Sequence, residues 1–357
     1  MVAIPRMFGP RRRVRRVVPA LLVVALAATA CVGGSPEPSA GTAAPVGSSP
    51  EATGPSPSGT SSAPAAPAAP HPVSLQALMR TEFDGRDFRV VRTLDRTSAY
   101  TTSAIRYRGG GLTLSGIMLV PRGDGPFPVV VLNHGYIDPD VYTTGRGFER
   151  SQQYLASNGF AVVHIDYRNH AQSDTDPESD VNLRLGYAED AINAVLAIRK
   201  SSIASLDRER IGMIGRSMGG GVTFNALVAF PDIVDAAVVF ASVSSDTVDN
   251  FNKWIRRRPE LAARIIRQYG SPQANPEFWA NVSPRTFFDQ IEAPVMVHHG
   301  TADETCPIEW TEETVTALRD SEVDVTYHRY QDEGHQLYAE YTRSMRRTVA
   351  FLREHLA

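Results

Sequence analysis

Ser217, Asp303 and His335 occur in that order along the chain, each in a local setting that favours chemistry over packing. Ser217 is the centre of Gly215-Arg-Ser-Met-Gly219, which follows the apolar run Ile211–Ile214 and opens a helix-forming run at Met218. A serine on so sharp a strand-to-helix turn is strained, and side chains at the flanking glycines would collide with the neighbouring strand and helix. Its hydroxyl needs a base to become a nucleophile, and the base needs an acid to orient it. Asp303 ends Val295-Met-Val-His-His-Gly-Thr-Ala-Asp303, and His335 ends Asp332-Glu-Gly-His335; both follow apolar strands on Gly-containing turns. Asp303 is therefore expected to orient His335, and His335 to deprotonate Ser217. Glu304, Asp332 and Glu333 read as solvated loop charges, His328 falls inside a strand, and His298 and His299 precede the turn.

Attack of a serine on a carbonyl carbon leaves an oxyanion that needs N–H donors. One expected donor is the Met218 N–H, at the positive end of the helix dipole. The other is the Tyr136 N–H, in the loop after Val129-Val-Val-Leu132. The Tyr136 ring reads equally as a wall of the acyl pocket or as an exposed loop side chain, and His134 as a structural hydrogen-bonder. His164-x-Asp166…His170 contains ligand-type residues, but a metal needs three or four that converge, so a strand-end turn is the better reading. No cofactor and no metal are expected.

These residues require a scaffold of strands that end in loops. Leu112–Val120, Val129–Leu132, Ala161–Ile165, Ile211–Ile214, Ala236–Phe240, Val295–His298 and Val323–Tyr330 read as strands. Phe148–Ser157, Ala188–Lys200, Met218–Ala229, Ile308–Leu318 and most of His335–Glu354 read as helices. The alternation predicts an α/β fold, with a mostly parallel central sheet and helices on both faces. Between two strands, the stretch of about 244–288, with Trp254, Arg256–Arg258 and Trp279, reads as a helical insertion that could cover the site. Its three arginines read as a solvated helix face, with an acidic substrate as the other option.

Several of these segments together resemble the catalytic domain of prolyl-oligopeptidase-like α/β-hydrolases, a group with acylaminoacyl-peptidase and dienelactone-hydrolase relatives. They are Leu132-Asn-His-Gly135, Asp166-Tyr-Arg-Asn-His-Ala-Gln-Ser173, Gly215-Arg-Ser-Met-Gly219, Ser283-Pro284, Ala293-Pro294, His299-Gly-Thr-Ala-Asp303 and Asp332-Glu-Gly-His335. The resemblance runs from about Ile105 to the C-terminus and implies the α/β-hydrolase fold and a Ser217–Asp303–His335 triad. The large peptidases of that family carry a β-propeller before the catalytic domain. Only Val73–Ala104 would precede it here, too little for a propeller, and the paired glutamates that hold a peptide amine in dipeptidyl peptidases are not found. Small-ester and acyl-peptide substrates are then comparably expected.

The chain has 357 residues, 42% hydrophobic and 21% charged, which excludes fibrous and wholly disordered classes. Its two cysteines, Cys31 and Cys306, make neither a disulfide framework nor a zinc spacing. Six of the 36 basic residues precede residue 31 with no acid among them, so the rest of the chain carries −9 and nucleic acid is not an expected partner. Arg11–Arg16, the apolar run Val17–Ala30 and Cys31 read as a secretory signal over residues 1–30. Ala28-Thr29-Ala30-Cys31 resembles a bacterial lipobox, which would make Cys31 a lipidated, membrane-anchored first residue, while Ala28-x-Ala30 also suits ordinary signal peptidase. Residues 31–72, rich in Pro, Ser, Ala and Gly, read as a disordered tether, and 73–357 as the hydrolase. The expected function is an exported serine hydrolase acting on a small ester or peptide through an acyl-enzyme. An acyltransferase on the same triad and a non-catalytic surface binding protein on a hydrolase fold are the rival classes.

Overall fold

A computed structural model describes residues 69–357, which fall within one compact unit of the chain, residues 66–357. The signal segment, Cys31 and the tether as far as residue 68 lie outside the described residues. Packing begins at His71, whose ring stands edge-on to Tyr269 and Phe278 at 5.4 and 5.2 Å. A short helix, α1 (Leu75–Leu78), follows, with the Ser74 hydroxyl accepting from the Ala77 N–H as its cap.

Nine strands form one sheet: β1 (Arg86–Arg96), β2 (Tyr100–Gly109), β3 (Leu112–Pro121), β4 (Phe127–Asn133), β5 (Ala161–Ile165), β6 (Leu206–Arg216), β7 (Ala236–Phe240), β8 (Val295–Gly300) and β9 (Val325–Tyr330). Their order is β1-β2-β3-β5-β4-β6-β7-β8-β9, antiparallel as far as β5 and parallel from β5 onward. β5, β7 and β8 are buried at every position. Such continuous apolar runs need cover on both faces. One face packs on α3 (Gly186–Arg199), α4 (Met218–Ala229) and α8 (Ile308–Asp320). The other packs on α2 (Glu149–Ser157) and α9 (Tyr341–His355). This is the mostly parallel α/β-hydrolase architecture. Among the described residues no helix is long and apolar enough to cross a membrane.

One element departs from the expectations drawn above. The hairpin β1–β2 is present, although β1 carries four arginines and is exposed at nearly every position. It is the sheet's edge, where backbone pairing to β2 rather than side-chain burial keeps the strand in place. The last helix, Tyr341–His355, fills most of the span His335–Glu354 that was expected to be helical. Asp332 and Leu337 have left-handed φ of 58° and 50°, so His335 stands on a turning loop rather than on a helix.

The insertion consists of α5 (Thr247–Lys253), α6 (Pro259–Tyr269), α7 (Pro276–Asn281) and short 3-10 turns, Ile255–Arg257 and Pro284–Gln290. Its interior is aromatic: Trp279 meets Phe251 at 4.7 Å, and Tyr269 stacks on Phe278 at 4.4 Å. Arg258 pairs with Asp180 at 2.7 Å and Arg264 with Glu178 at 3.1 Å, tying the insertion to the segment before α3.

That segment is held by the nearly buried Arg168, just past β5. Its guanidinium donates to Asp190 and Glu189 at 2.7 Å and to Asp176 at 3.3 Å. Asp190 is buried, so losing its cation strands a charge without water. Arg168→Met is expected to cost about 3–5 kcal/mol in denaturant unfolding; an unchanged midpoint would show that the cluster holds nothing together.

Candidate active site

Ser217 follows β6 and caps α4 with φ 56° and ψ −123°, a conformation that L-residues rarely adopt. The turn is fixed on both sides. The Ser217 N–H donates to the Phe240 carbonyl at 2.9 Å, and the Val243 N–H donates to the Ser217 carbonyl at 3.2 Å. A Cβ on Gly219 would strike the Asn133 carbonyl of β4, so the helix meets the strand backbone to backbone and only glycine fits. The loop after β4 also closes on the serine: a Cβ on Gly135 would lie 3.2 Å from Ser217 Cβ. Tyr136, the next residue, is half exposed. Met218 opens α4, where helical geometry leaves its N–H without an intrahelical partner.

Asp303 lies beyond β8 with its side chain wholly buried. All its acceptor directions are used. Oδ1 accepts from the Thr305 and Cys306 N–H groups at 2.8 and 2.9 Å. Oδ2 accepts from His335 Nδ1 at 2.8 Å and faces His299 Nε2 at 3.1 Å. Burial alone would raise the pKa of this carboxyl, but the hydrogen bonds from His299, His335 and Cys306 outweigh it and hold Asp303 well below the ordinary carboxylate range. An imidazole gripped at Nδ1 by an ionised carboxylate presents Nε2 as a proton acceptor. His335 keeps 15% of its side chain accessible.

Two further contacts bind these loops to the serine. The Cys306 thiol lies against the Ser217 hydroxyl, and burial, with the Asp303 charge beside it, pushes the thiol up to about 12. Arg216, just before the serine, donates to Gln336, just after the histidine, at 3.0 Å. On the other side of Ser217 the Arg184 guanidinium covers the Tyr136 ring at 4.7 Å and meets Met218 Sδ at 3.3 Å. Asp180 anchors it at 2.7 Å. Arg184 carried no motif; its one local signal is a pair of consecutive left-handed residues, Leu183 and Arg184, visible only in the backbone.

Apart from His299, the other candidates lie away from Ser217, Asp303 and His335. His298 is buried between Tyr330 and Thr348, and Glu333 is tied to the Glu340 N–H. Asp332 and Glu304 are exposed. His134 donates from Nδ1 to the Gly135 carbonyl and stacks on Tyr142 at 4.6 Å; burial, then the nearby His164 and His170, push its pKa well below the usual histidine range. Asp166 accepts from the hydroxyls of Ser115, Tyr142 and Thr144, which bind a turn rather than a metal. Among the described residues no three His, Cys, Asp or Glu side chains are arranged to hold a metal ion. Of the run Arg256–Arg258, Arg258 is taken up by Asp180 and Arg256 lies 5.7 Å over the Phe251 ring.

Residues 146–357 match the model of the prolyl oligopeptidase family. The dipeptidyl aminopeptidase BIII of Pseudoxanthomonas mexicana is 27% identical over 225 residues, covering 60% of this chain and 31% of that protein. The chain spans about a third of the length of the curated relatives at the head of the comparison. Among solved structures, the acylaminoacyl peptidase of Pyrococcus horikoshii superposes with TM-score 0.56 at 21% identity, over 72% of this chain and 41% of that one. An esterase of Pyrococcus furiosus gives 0.55 at 16% identity, over 76% of this chain and all of that one. The structural likenesses carry the fold, and the match over residues 146–357 carries the family. The chain belongs to the prolyl oligopeptidase family.

Proposed function

We propose that Ser217 is the nucleophile, His335 the general base and acid, and Asp303 the group that orients and balances His335. The observation that carries this reading is the 2.8 Å contact between His335 Nδ1 and a fully buried Asp303. In the reaction, Ser217 Oγ adds to the carbonyl carbon as His335 Nε2 takes its proton. The oxygen, now an anion, is received by the Tyr136 and Met218 N–H groups. Collapse breaks the bond to the alcohol or amine, which leaves with the proton held by His335, and water repeats the sequence to release the acid from Ser217.

The substrate class is an ester or an acylated amide or peptide of modest size. The relatives named above include a dipeptidyl aminopeptidase, an acylaminoacyl peptidase and an esterase, and this one catalytic sequence serves all three bonds. We further propose that the enzyme is exported, with the basic and apolar residues before Cys31 acting as the signal and Cys31 carrying the lipid.

Ser217→Ala deletes one hydroxyl and is expected to lower kcat by about 10³-fold or more on p-nitrophenyl esters and aminoacyl p-nitroanilides alike. Retention of most activity by the purified variant would end the assignment, and the preferred panel member names the bond. A histidine base works only when neutral, and Asp303 stays ionised throughout the working range. kcat/KM is therefore expected to fall about ten-fold per pH unit once acid protonates the base. A profile flat to about pH 4.5 would exclude a histidine base. Cys306, neutral and buried, is expected to resist iodoacetamide at pH 8 until the protein is unfolded; rapid alkylation of the native enzyme would contradict this packing. Mass spectrometry of membrane-extracted protein is expected to find lipid on Cys31, and an unmodified Cys31 would mean simple secretion.

A further inference from the structure

His299 is a fully buried histidine that the mechanism above does not use, and its surroundings leave it one tautomer. Nε2 faces two acceptors, Asp303 Oδ2 at 3.1 Å and the Cys306 carbonyl at 3.0 Å. Neither can donate, so Nε2 carries the proton. Nδ1 then has a lone pair, and the Thr311 hydroxyl of α8 donates to it at 2.6 Å. Thr311 thereby fixes the tautomer from a separate element.

The oxygen that His299 contacts is the one His335 contacts. Asp303 Oδ2 is thus shared between two imidazoles, while Oδ1 is occupied by backbone N–H groups. The same N–H holds the Cys306 carbonyl, and Cys306 places its thiol against Ser217. One side chain therefore sets both the aim of the acid and the residue packed against the nucleophile. A donor on Oδ2 draws off part of the carboxylate's charge, which would otherwise favour the imidazolium of His335.

We propose that His299 is a positioning residue of the hydrolytic reaction, its Nε2–H tying Asp303 Oδ2 to the Cys306 carbonyl and so grading the grip of Asp303 on His335. The inference rests on the triad reading above. The ionisable groups facing this network are Asp303 and Cys306 toward His299, Asp303 toward His335, and Lys253 of α5 toward the Cys306 thiol. Lys253 is untouched by the substitutions that follow, whereas the Cys306 carbonyl loses its His299 donor in His299→Leu.

The test uses the full chain with His299→Leu, His299→Gln and Thr311→Val. It reads the pH dependence of Ser217 labelling by a fluorophosphonate, kcat and KM on one ester, and the thermal midpoint. Labelling of the wild type and none of Ser217→Ala verifies the triad reading independently, so its failure is distinguishable from failure of this proposal. In His299→Leu kcat is expected to fall about 10- to 100-fold, as for loss of a hydrogen bond to a charged group, with little change in KM. Its acid midpoint is expected to move to higher pH, because a less satisfied Asp303 keeps His335 protonated further up the scale. Gln can donate from nearly the same place, so His299→Gln is expected to restore most of kcat and the wild-type midpoint. Thr311→Val frees the tautomer and is expected to shift the midpoint the same way by less. Should His299→Leu fail to fold, the Gln and Val variants decide. An acid midpoint unmoved in Thr311→Val and in every soluble His299 variant, with losses tracking the thermal midpoint alone, would overturn the proposal, as would a shift to lower pH.

Discussion

The carboxylate of Asp303 is a buried charge, and a buried charge is tolerable only when its lone pairs are occupied. Two backbone N–H groups and two imidazoles occupy them. That requirement shapes the region. Thr305 and Cys306 must turn back on the aspartate, and the turn puts Cys306 against Ser217. His299 must enter from the end of β8. His335 must arrive from the loop after β9 with Nδ1 inward, which leaves Nε2 outward. The geometry that the proposed reaction would use is also the one that satisfies the charge.

The sheet makes this convergence affordable. Parallel pairing of β6 through β9 puts the loops bearing Ser217, Asp303 and His335 at one edge, the carboxyl ends of the strands. Buried strands and two covering helix layers keep those ends rigid, so the strain at Ser217 is carried by the frame. On the far side of Ser217 the Arg168 cluster and the Asp180–Arg258 pair hold Arg184 over Tyr136 and Met218. The insertion is thereby coupled to the loop that supplies the expected oxyanion donors.

Much of this was legible in the sequence because it rests on local patterns. The apolar runs of β4, β5, β7 and β8 have to be buried, and Gly215-x-Ser217-x-Gly219 allows little besides a strand-to-helix elbow. What was not legible depends on partners distant in sequence. β1 lacks alternation because it is an exposed edge, so its arginines masked it. The turn at Asp332–His335 is legible from Gly334, but the left-handed φ of Asp332 and Leu337, which hold His335 on a loop until α9 begins at Tyr341, is not. His299 appears as one more histidine of a strand until Thr311 and the Cys306 carbonyl fix its proton.

The most direct test of the account is to mix the enzyme with a p-nitrophenyl ester, quench with acid within the first turnover, and map the acyl group by peptide mass spectrometry. The account predicts one acyl group, on the peptide bearing Ser217, and its absence from Ser217→Ala. An acyl group on another residue, Cys306 included, or turnover with no acylated peptide at all, would contradict it.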